Sequence, residues 1–410
     1  MINTVVSKAL PSKAGARLQP PAQRPSLTFD GLWHNVGFRS LLYQIIVIAG
    51  VVGTAIYMLG NAQEAMQKLG ISTGFDFLNE EASFAIGESL ISYDSSDTYT
   101  RAYAVAVLNT LKVSFVSVIG ATVLGVFIGI SRLSSNLLIA KLASCYIEIF
   151  RNTPQLVQII FWYTLVILLP HPKQAWTIFD WVFVSNRGLN VAWPVNTVVF
   201  LWAGLALLVA CGGAYGAVRW ADNLRRRSGR KINVLWWNIG LTVGFPILVW
   251  LALGAPNEMD TPVFKGFNFS GGVVLSPEFL ALLLGLSLYI AAFIAEIVRS
   301  GIQAVNRGQI EAARSVGLGQ LDLYMKVILP QALRVIVPPM TAQYVSLIKN
   351  SSLGVVIGYP ELFNVNNTIT TTSGNTIECI SIMMAVYLSI AFTIAIIMNL
   401  YNRAVQIKER

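Results

Sequence analysis

The stretch Glu311-Ala312-Ala313-Arg314-Ser315-Val316-Gly317, continuing to Val327-Ile328-Leu329-Pro330, is a polar interlude between two strongly apolar segments. Glu311 and Arg314, three residues apart, share one side of a short helix over 311–316. Gly317 and Gly319 break that helix, because glycine takes the left-handed backbone that closes one. Leu321, Tyr324, Val327 and Ile328 then recur at helical spacing and describe a second amphipathic turn. Pro330, lacking a backbone donor, is expected to fix the next corner. A polar two-helix element set amid membrane spans is a handle for something outside the lipid.

The surroundings demand a membrane. The chain has 410 residues, 55% hydrophobic and only 12% charged, with a mean hydropathy of +0.61, far more apolar than a soluble domain. Apolar runs able to cross ~30 Å of hydrocarbon fall near 41–60, 105–130, 147–169, 195–218, 234–254, 279–298, 331–349 and 380–402, which reads as an all-α, polytopic chain of about eight spans. With the N-terminus inside, the cytoplasmic segments collect 21 Lys and Arg and the outer loops 5. This ratio puts both termini, and the Glu311 loop, in the cytoplasm.

Several chemistries are excluded or disfavoured. Cys145, Cys211 and Cys379 are scattered without disulfide or metal spacing. His34 and His171 are the only imidazoles, and no nucleophile with base and acid gathers around them. The net charge of +9 is a matter of topology rather than of nucleic acid. The run Arg225-Arg226-Arg227 with Arg230 and Lys231 reads as a topology anchor beside anionic lipid. There is no phosphate loop, indeed no Gly-Lys dipeptide, so energy must come from another subunit or from an ion gradient.

The remaining segments have simpler readings. Residues 1–40, with Pro11, Pro20, Pro21 and Pro25 and five cations, read as a cytoplasmic tail rather than a signal peptide, and 403–410 as a second one. The outer segment 61–104 is acidic, with Glu64, Asp76, Glu80, Glu81, Glu88, Asp94 and Asp97 against Lys68 and Arg101. A solvated loop or a docking element would each account for it. Gly125 and Gly129, with Gly120 before them, let another helix approach closely. Trp176, Trp181, Trp193, Trp236 and Trp237 read as membrane-interface belts.

The Glu311 loop resembles the E-A-A, then Gly, then I-x-L-P element of the inner-membrane permease subunits of bacterial ATP-binding-cassette (ABC) importers, with Val327 where the family usually has Ile. The resemblance implies that Glu311, Ala312, Ala313, Gly317, Leu329 and Pro330 belong to a coupling helix, within a loop over 305–330, that sits in a cleft of a cytoplasmic ATPase. An interfacial helix matching by chance is the alternative. In the third span, Glu148, Arg151, Thr153, Pro154, Val157 and Gln158 resemble the E-x-x-R-x-T-P-x-x-V-Q signature of the polar amino acid permeases. Lys349-Asn350-Ser351-Ser352-Leu353 is similar to their K-x-[TS]-S-L element, and the segment 61–104 looks like the extension of their longer, broad-specificity members.

The resemblance implies a type I ABC importer permease fold: a five-helix core, with the first span and the pair at 195–254 as additions. It implies as partners a second permease, two ATPase subunits and a periplasmic amino-acid-binding protein; the extra spans favour a partner permease unlike this one over an identical copy. ATP and Mg would lie on the ATPase, with no cofactor or metal on this chain. The residues add a pathway. Pro154 frees a carbonyl one turn back, which Thr153, Gln155 and Gln158 can satisfy unless they touch substrate. Glu296 and Arg299 repeat the spacing of Glu148 and Arg151 at a similar depth. They form either a salt-bridge cluster closing the inner gate or two independent snorkelling pairs. Lys349, at an outer span end, either attracts a substrate carboxylate or snorkels. The competing function is a lone ion-coupled carrier, which would carry inverted repeats and mid-span acids; the spans show neither clearly.

Overall fold

The computed structural model describes residues 36–68, 74–229 and 233–405 and divides into two compact units, Met1–Thr73 and Gly74–Arg410. In the first unit the described chain is a single helix, α1 (Val36–Lys68), whose span Val36–Asn61 is apolar along its length. The proline-rich part of the tail and residues 406–410 lie outside the described residues.

The second unit contains α2 (Tyr99–Ser131), α3 (Leu137–Asn152), α4 (Gln155–Ile167), α5 (Thr197–Ser228) and α6 (Leu235–Ala252). It continues with α7 (Pro277–Gln303), α8 (Arg307–Ser315), α9 (Gln320–Leu323), α10 (Leu329–Asn350), α11 (Leu362–Ser373) and α12 (Thr376–Val405). Among the described residues, α1, α2, α5, α6, α7 and α12 are long and apolar enough to cross a bilayer. The two remaining expected spans are not among these six. α10 holds Pro338 and Pro339, and the run 147–169 is two helices, because Thr153 and Pro154 are both extended.

The unit is organised around α7. Ser276 caps it by accepting the Phe279 N–H, and Pro277 fills the first turn, where no donor is needed. Leu282, Leu286, Ile290 and Ile294, each four residues from the next, are all buried. α2 lies beside α7 at backbone contact. A Cβ on Gly125 would stand 2.7 Å from the Ile294 Cβ, and one on Gly129 would stand 2.6 Å from the Ala295 carbonyl oxygen. The small-residue step is therefore a helix contact. α4 adds Ile159 to the same core, and α10 adds Ala332, Ile336, Met340 and Leu347.

The connections hold β-structure that an all-helical reading omits. β1 (Trp176–Ile178), β2 (Val182–Ser185), β3 (Gly188–Val191) and β8 (Val273–Leu275) form one antiparallel sheet in that order. β4 (Trp193–Pro194) pairs with β5 (Met259–Asp260), and β6 (Val263–Lys265) with β7 (Asn268–Ser270). The inserted pair α5 and α6 hangs from this stem. Ala206, Ala210 and Ala221 of α5 are buried, and the two helices meet at Gly213, where a Cβ would be 2.9 Å from Leu241 Cδ2.

The acidic segment 74–98 is a folded cap. Phe77 and Ala82 are buried with Tyr99, Tyr103, Leu362, Val365 and Ile369. The Ala82 and Ser83 N–H groups donate to the carbonyls of Asp97 and Ser95. The Glu88 carboxylate takes the Lys112 ammonium and the Ser276 hydroxyl at 2.6 Å, while its carbonyl accepts Asn109 Nδ2 at 2.7 Å. Lys112 also lies 4.6 Å over the Phe279 ring, so this span cation is neutralised and stacked.

Candidate functional site

Three polar groupings interrupt the apolar bundle. The first is the hairpin of α8 and α9. Asn306 caps α8 by accepting the Gly308 N–H at 2.8 Å, and Gly317, at φ +78°, reverses the chain as its sequence implies. Ala313, Leu323 and Ile328 are buried and seat the hairpin on α7 and α10. Glu311, Ala312 and Arg314 are exposed, as are Val316 at 77% and Leu321 at 79%. Two expectations are corrected here. Leu321 and Tyr324 face outward while Leu323 takes the inner side. Pro330 makes no corner: α9 runs into α10 through a π turn at Tyr324–Ile328, with the Leu329 N–H bonded to the Tyr324 carbonyl. The wider turn accommodates a proline that cannot donate to the carbonyl four residues back.

The second grouping is the break between α3 and α4. The Thr153 hydroxyl donates to the Ile149 carbonyl at 2.9 Å. Gln158 Nε2 donates to the Phe150 carbonyl at 3.0 Å and to Thr153 Oγ1 at 2.6 Å. Thr153 and Gln158 thus satisfy the carbonyls that Pro154 leaves free. Gln155 does something else: its Oε1 accepts Asn350 Nδ2 at 2.6 Å, from the end of α10. Its own Nε2 is buried and has no partner among the described residues. Ser351 is buried and bonded to the Ile348 carbonyl. Lys349 is exposed and lines a pocket of about 470 Å³ with Ser352, Phe363, Met383 and Tyr387.

The third grouping lies where α2 and α7 end. Glu296 pairs with Arg299 and with Arg132, and Arg299 also bonds Gln303. Glu148 and Arg151 line the same pocket, of about 250 Å³, together with Arg132 and Glu296. Neither Glu148 nor Arg151 makes an ion pair among the described residues, and Arg151 stacks 5.1 Å over Phe293. The expected acid and base pairs therefore share a site, but its centre is Glu296 and the extra base is Arg132. Arg132 follows α2 directly, and its position after a long apolar run was the only signal for it.

A further carboxylate was not anticipated. Glu361 is fully buried and caps α11 by accepting the Phe363 and Asn364 N–H groups at 2.9 and 2.8 Å. Tyr387 of α12 donates to it at 2.8 Å. Burial pushes its carboxyl up to about 7, against the opposing effect of these three donors. A carboxyl whose folded value lies above its unfolded value stabilises the fold below the unfolded value, near 4.3, and loses that contribution as pH rises toward 7. Stability against thermal unfolding should therefore fall between roughly pH 4.5 and 7, by on the order of 3 kcal/mol from this group. Glu361→Gln should remove that part of the slope, and equal slopes in the two proteins would contradict the assignment.

Residues 212–408 match the family model described as the binding-protein-dependent transport system inner membrane component. The putative amino-acid ABC transporter permease protein YhdX of Escherichia coli is 45% identical over 92% of this chain and 96% of its own length. The chain belongs to the amino-acid ABC transporter permeases. The general L-amino acid transport system permease protein AapQ of Rhizobium johnstonii is 40% identical over 95% of this permease and 98% of its own length. The glutamate/glutamine/aspartate/asparagine permease protein BztB of Rhodobacter capsulatus is 37% identical over 98% and 99%. Among solved structures, an amino acid ABC transporter with histidines aligns with a TM-score of 0.44 at 23% identity, covering 75% of the permease and 95% of that chain. The permease is thus a multi-pass inner-membrane transport component rather than an enzyme, and such a component works with an ATPase and a substrate-binding protein. These relatives disfavour the lone ion-coupled carrier.

Proposed function

We propose that this permease passes polar L-amino acids inward by alternating access, and that the α8–α9 hairpin is where a cytoplasmic ATPase grips it. The observation that carries this reading is the two-sidedness of the hairpin. Ala313, Leu323 and Ile328 fix it to the bundle, while Glu311, Ala312, Val316 and Leu321 offer an unpaired face outward. A lever needs both. In this reading the hairpin end and both termini are cytoplasmic, two ATPase subunits carry the ATP and Mg, and a second, dissimilar permease completes the pathway.

Glu296 with Arg132 and Arg299, beside Glu148 and Arg151, closes the inner end of that pathway. Gln155, Asn350 and Lys349 offer polar groups to the substrate, supported by the unpartnered Gln155 Nε2. A periplasmic amino-acid-binding protein delivers to the end capped by segment 74–98. The general-specificity relatives favour a broad set of L-amino acids.

The test uses the intact complex in vesicles. Glu311→Arg with Ala312→Asp should cut ATP-dependent amino acid uptake at least about tenfold, the effect expected when about 1.4 kcal/mol of coupling is lost. The chain should stay folded, because neither side chain is buried. In vesicles of the permease without its ATPase, a cysteine placed by Val316→Cys, with Cys145→Ser and Cys211→Ser, should react with an impermeant maleimide only from the cytoplasmic side. Labelling from the outside, or undiminished uptake, would refute the reading.

A further inference from the structure

The foot of the inserted pair carries a charge pattern that transport does not use. From Thr197 to Asn257 there are six cations, Arg219, Arg225, Arg226, Arg227, Arg230 and Lys231, and one acid, Asp222. Gly213 of α5 meets Leu241 of α6, and the two helices are antiparallel. At a rise of about 1.5 Å per residue, Trp236 and Trp237 therefore lie within one helical turn of the depth of Arg219 and Trp220. Trp220, Trp236 and Trp237 are exposed by 58, 74 and 79%, an aromatic ring of the kind that marks a membrane boundary.

Arg219 is oriented at that boundary: its Nε and Nη2 donate to the Tyr215 hydroxyl at 2.9 and 2.6 Å, and its guanidinium lies 5.1 Å from the ring centre. Arg225 and Arg227, both exposed, continue the helix by about 9 and 12 Å beyond Arg219, through the depth of a headgroup layer.

We propose that Arg219, Arg225 and Arg227, with the Trp220, Trp236 and Trp237 ring, form a binding site for an anionic phospholipid that anchors the inserted helices. Charge complementarity selects the occupant. A phosphodiester headgroup meets guanidinium donors suited to phosphate oxygens, and its acyl chains meet the apolar outer faces of α5 and α6. A zwitterionic lipid offers the same phosphate with its charge cancelled.

The experiment is native mass spectrometry of the purified permease, exposed to equal amounts of phosphatidylglycerol and phosphatidylethanolamine. The wild-type chain should retain phosphatidylglycerol preferentially. The triple variant R219Q/R225Q/R227Q should bind it about 100-fold more weakly. The triple lysine variant R219K/R225K/R227K should keep most of the preference, and the melting temperatures of all three proteins in uncharged detergent should agree, which separates lost binding from lost folding. Excess inorganic phosphate should not displace the lipid. Equal retention of the two lipids, an unaltered preference in the glutamine variant, or displacement by phosphate would overturn the proposal. So would unchanged lipid retention with weakened ATPase assembly, which would make the patch a protein surface.

Discussion

Replacing Gly129 by leucine should leave almost no folded permease. Its backbone lies so close to α7 that a first side-chain carbon would stand 2.6 Å from the Ala295 carbonyl oxygen and 3.0 Å from the Val298 Cβ. Backbone cannot step aside as a flexible side chain can. Inserting even one or two methylenes into a packed core costs about 1–3 kcal/mol, and leucine adds four carbons. Native stabilities are only about 5–15 kcal/mol, so α2 must leave α7 or the chain must fail to accumulate.

Gly204→Leu, on α5, where no atom of the described residues lies within 4 Å of the position a Cβ would take, should behave as wild type. The measurement is the fraction eluting as a single species after detergent extraction, with its melting temperature. A Gly129→Leu permease that elutes and melts normally would show that α2 and α7 are not in contact as described.

Glu296→Gln should cut uptake more than about tenfold, for a different reason. It strips the counter-charge from Arg132 and Arg299 at once. Removing one partner of a buried pair costs about 3–5 kcal/mol. Side-chain exposures of 26% for all three residues bring solvent screening, so the cost here is nearer 2 kcal/mol. Arg132→Gln in the same chain should recover part of the loss, because the second substitution removes a cation that the first left unpaired. Glu148→Gln should not, since Glu148 has no ion pair among the described residues to lose. Strictly additive losses from Glu296→Gln and Arg132→Gln, read from uptake rates in a double-mutant cycle, would remove the ionic latch.

What the sequence made legible was whatever depends on local repetition. A long apolar stretch in lipid must be helical, since only a helix satisfies its own backbone there, so α2 and α7 were visible to within a few residues. The α8 turn was visible because Gly317 has to adopt positive φ. What escaped depended on distance or on brevity. Arg132 and Glu296 are 164 residues apart, and nothing near either announces the other. Glu361 looks like one more polar residue in a connection until α12 brings Tyr387 over it. The strands of the stem are two to four residues long, too short for alternation to show, and their tryptophans suggested an interface instead. The π turn before Pro330 trades one hydrogen-bond register for another, which no spacing rule records.

That stem has an architectural consequence. In the ladder between β3 and β8, Val191 stands directly across from Val273, so the chain leaves the sheet and returns to it at the same point. Everything between those two residues is a detachable cassette: a tight reverse turn bridging them would preserve the ladder and the approach to α7. Evolution could enlarge, exchange or discard the cassette without re-registering a single helix of the transport bundle.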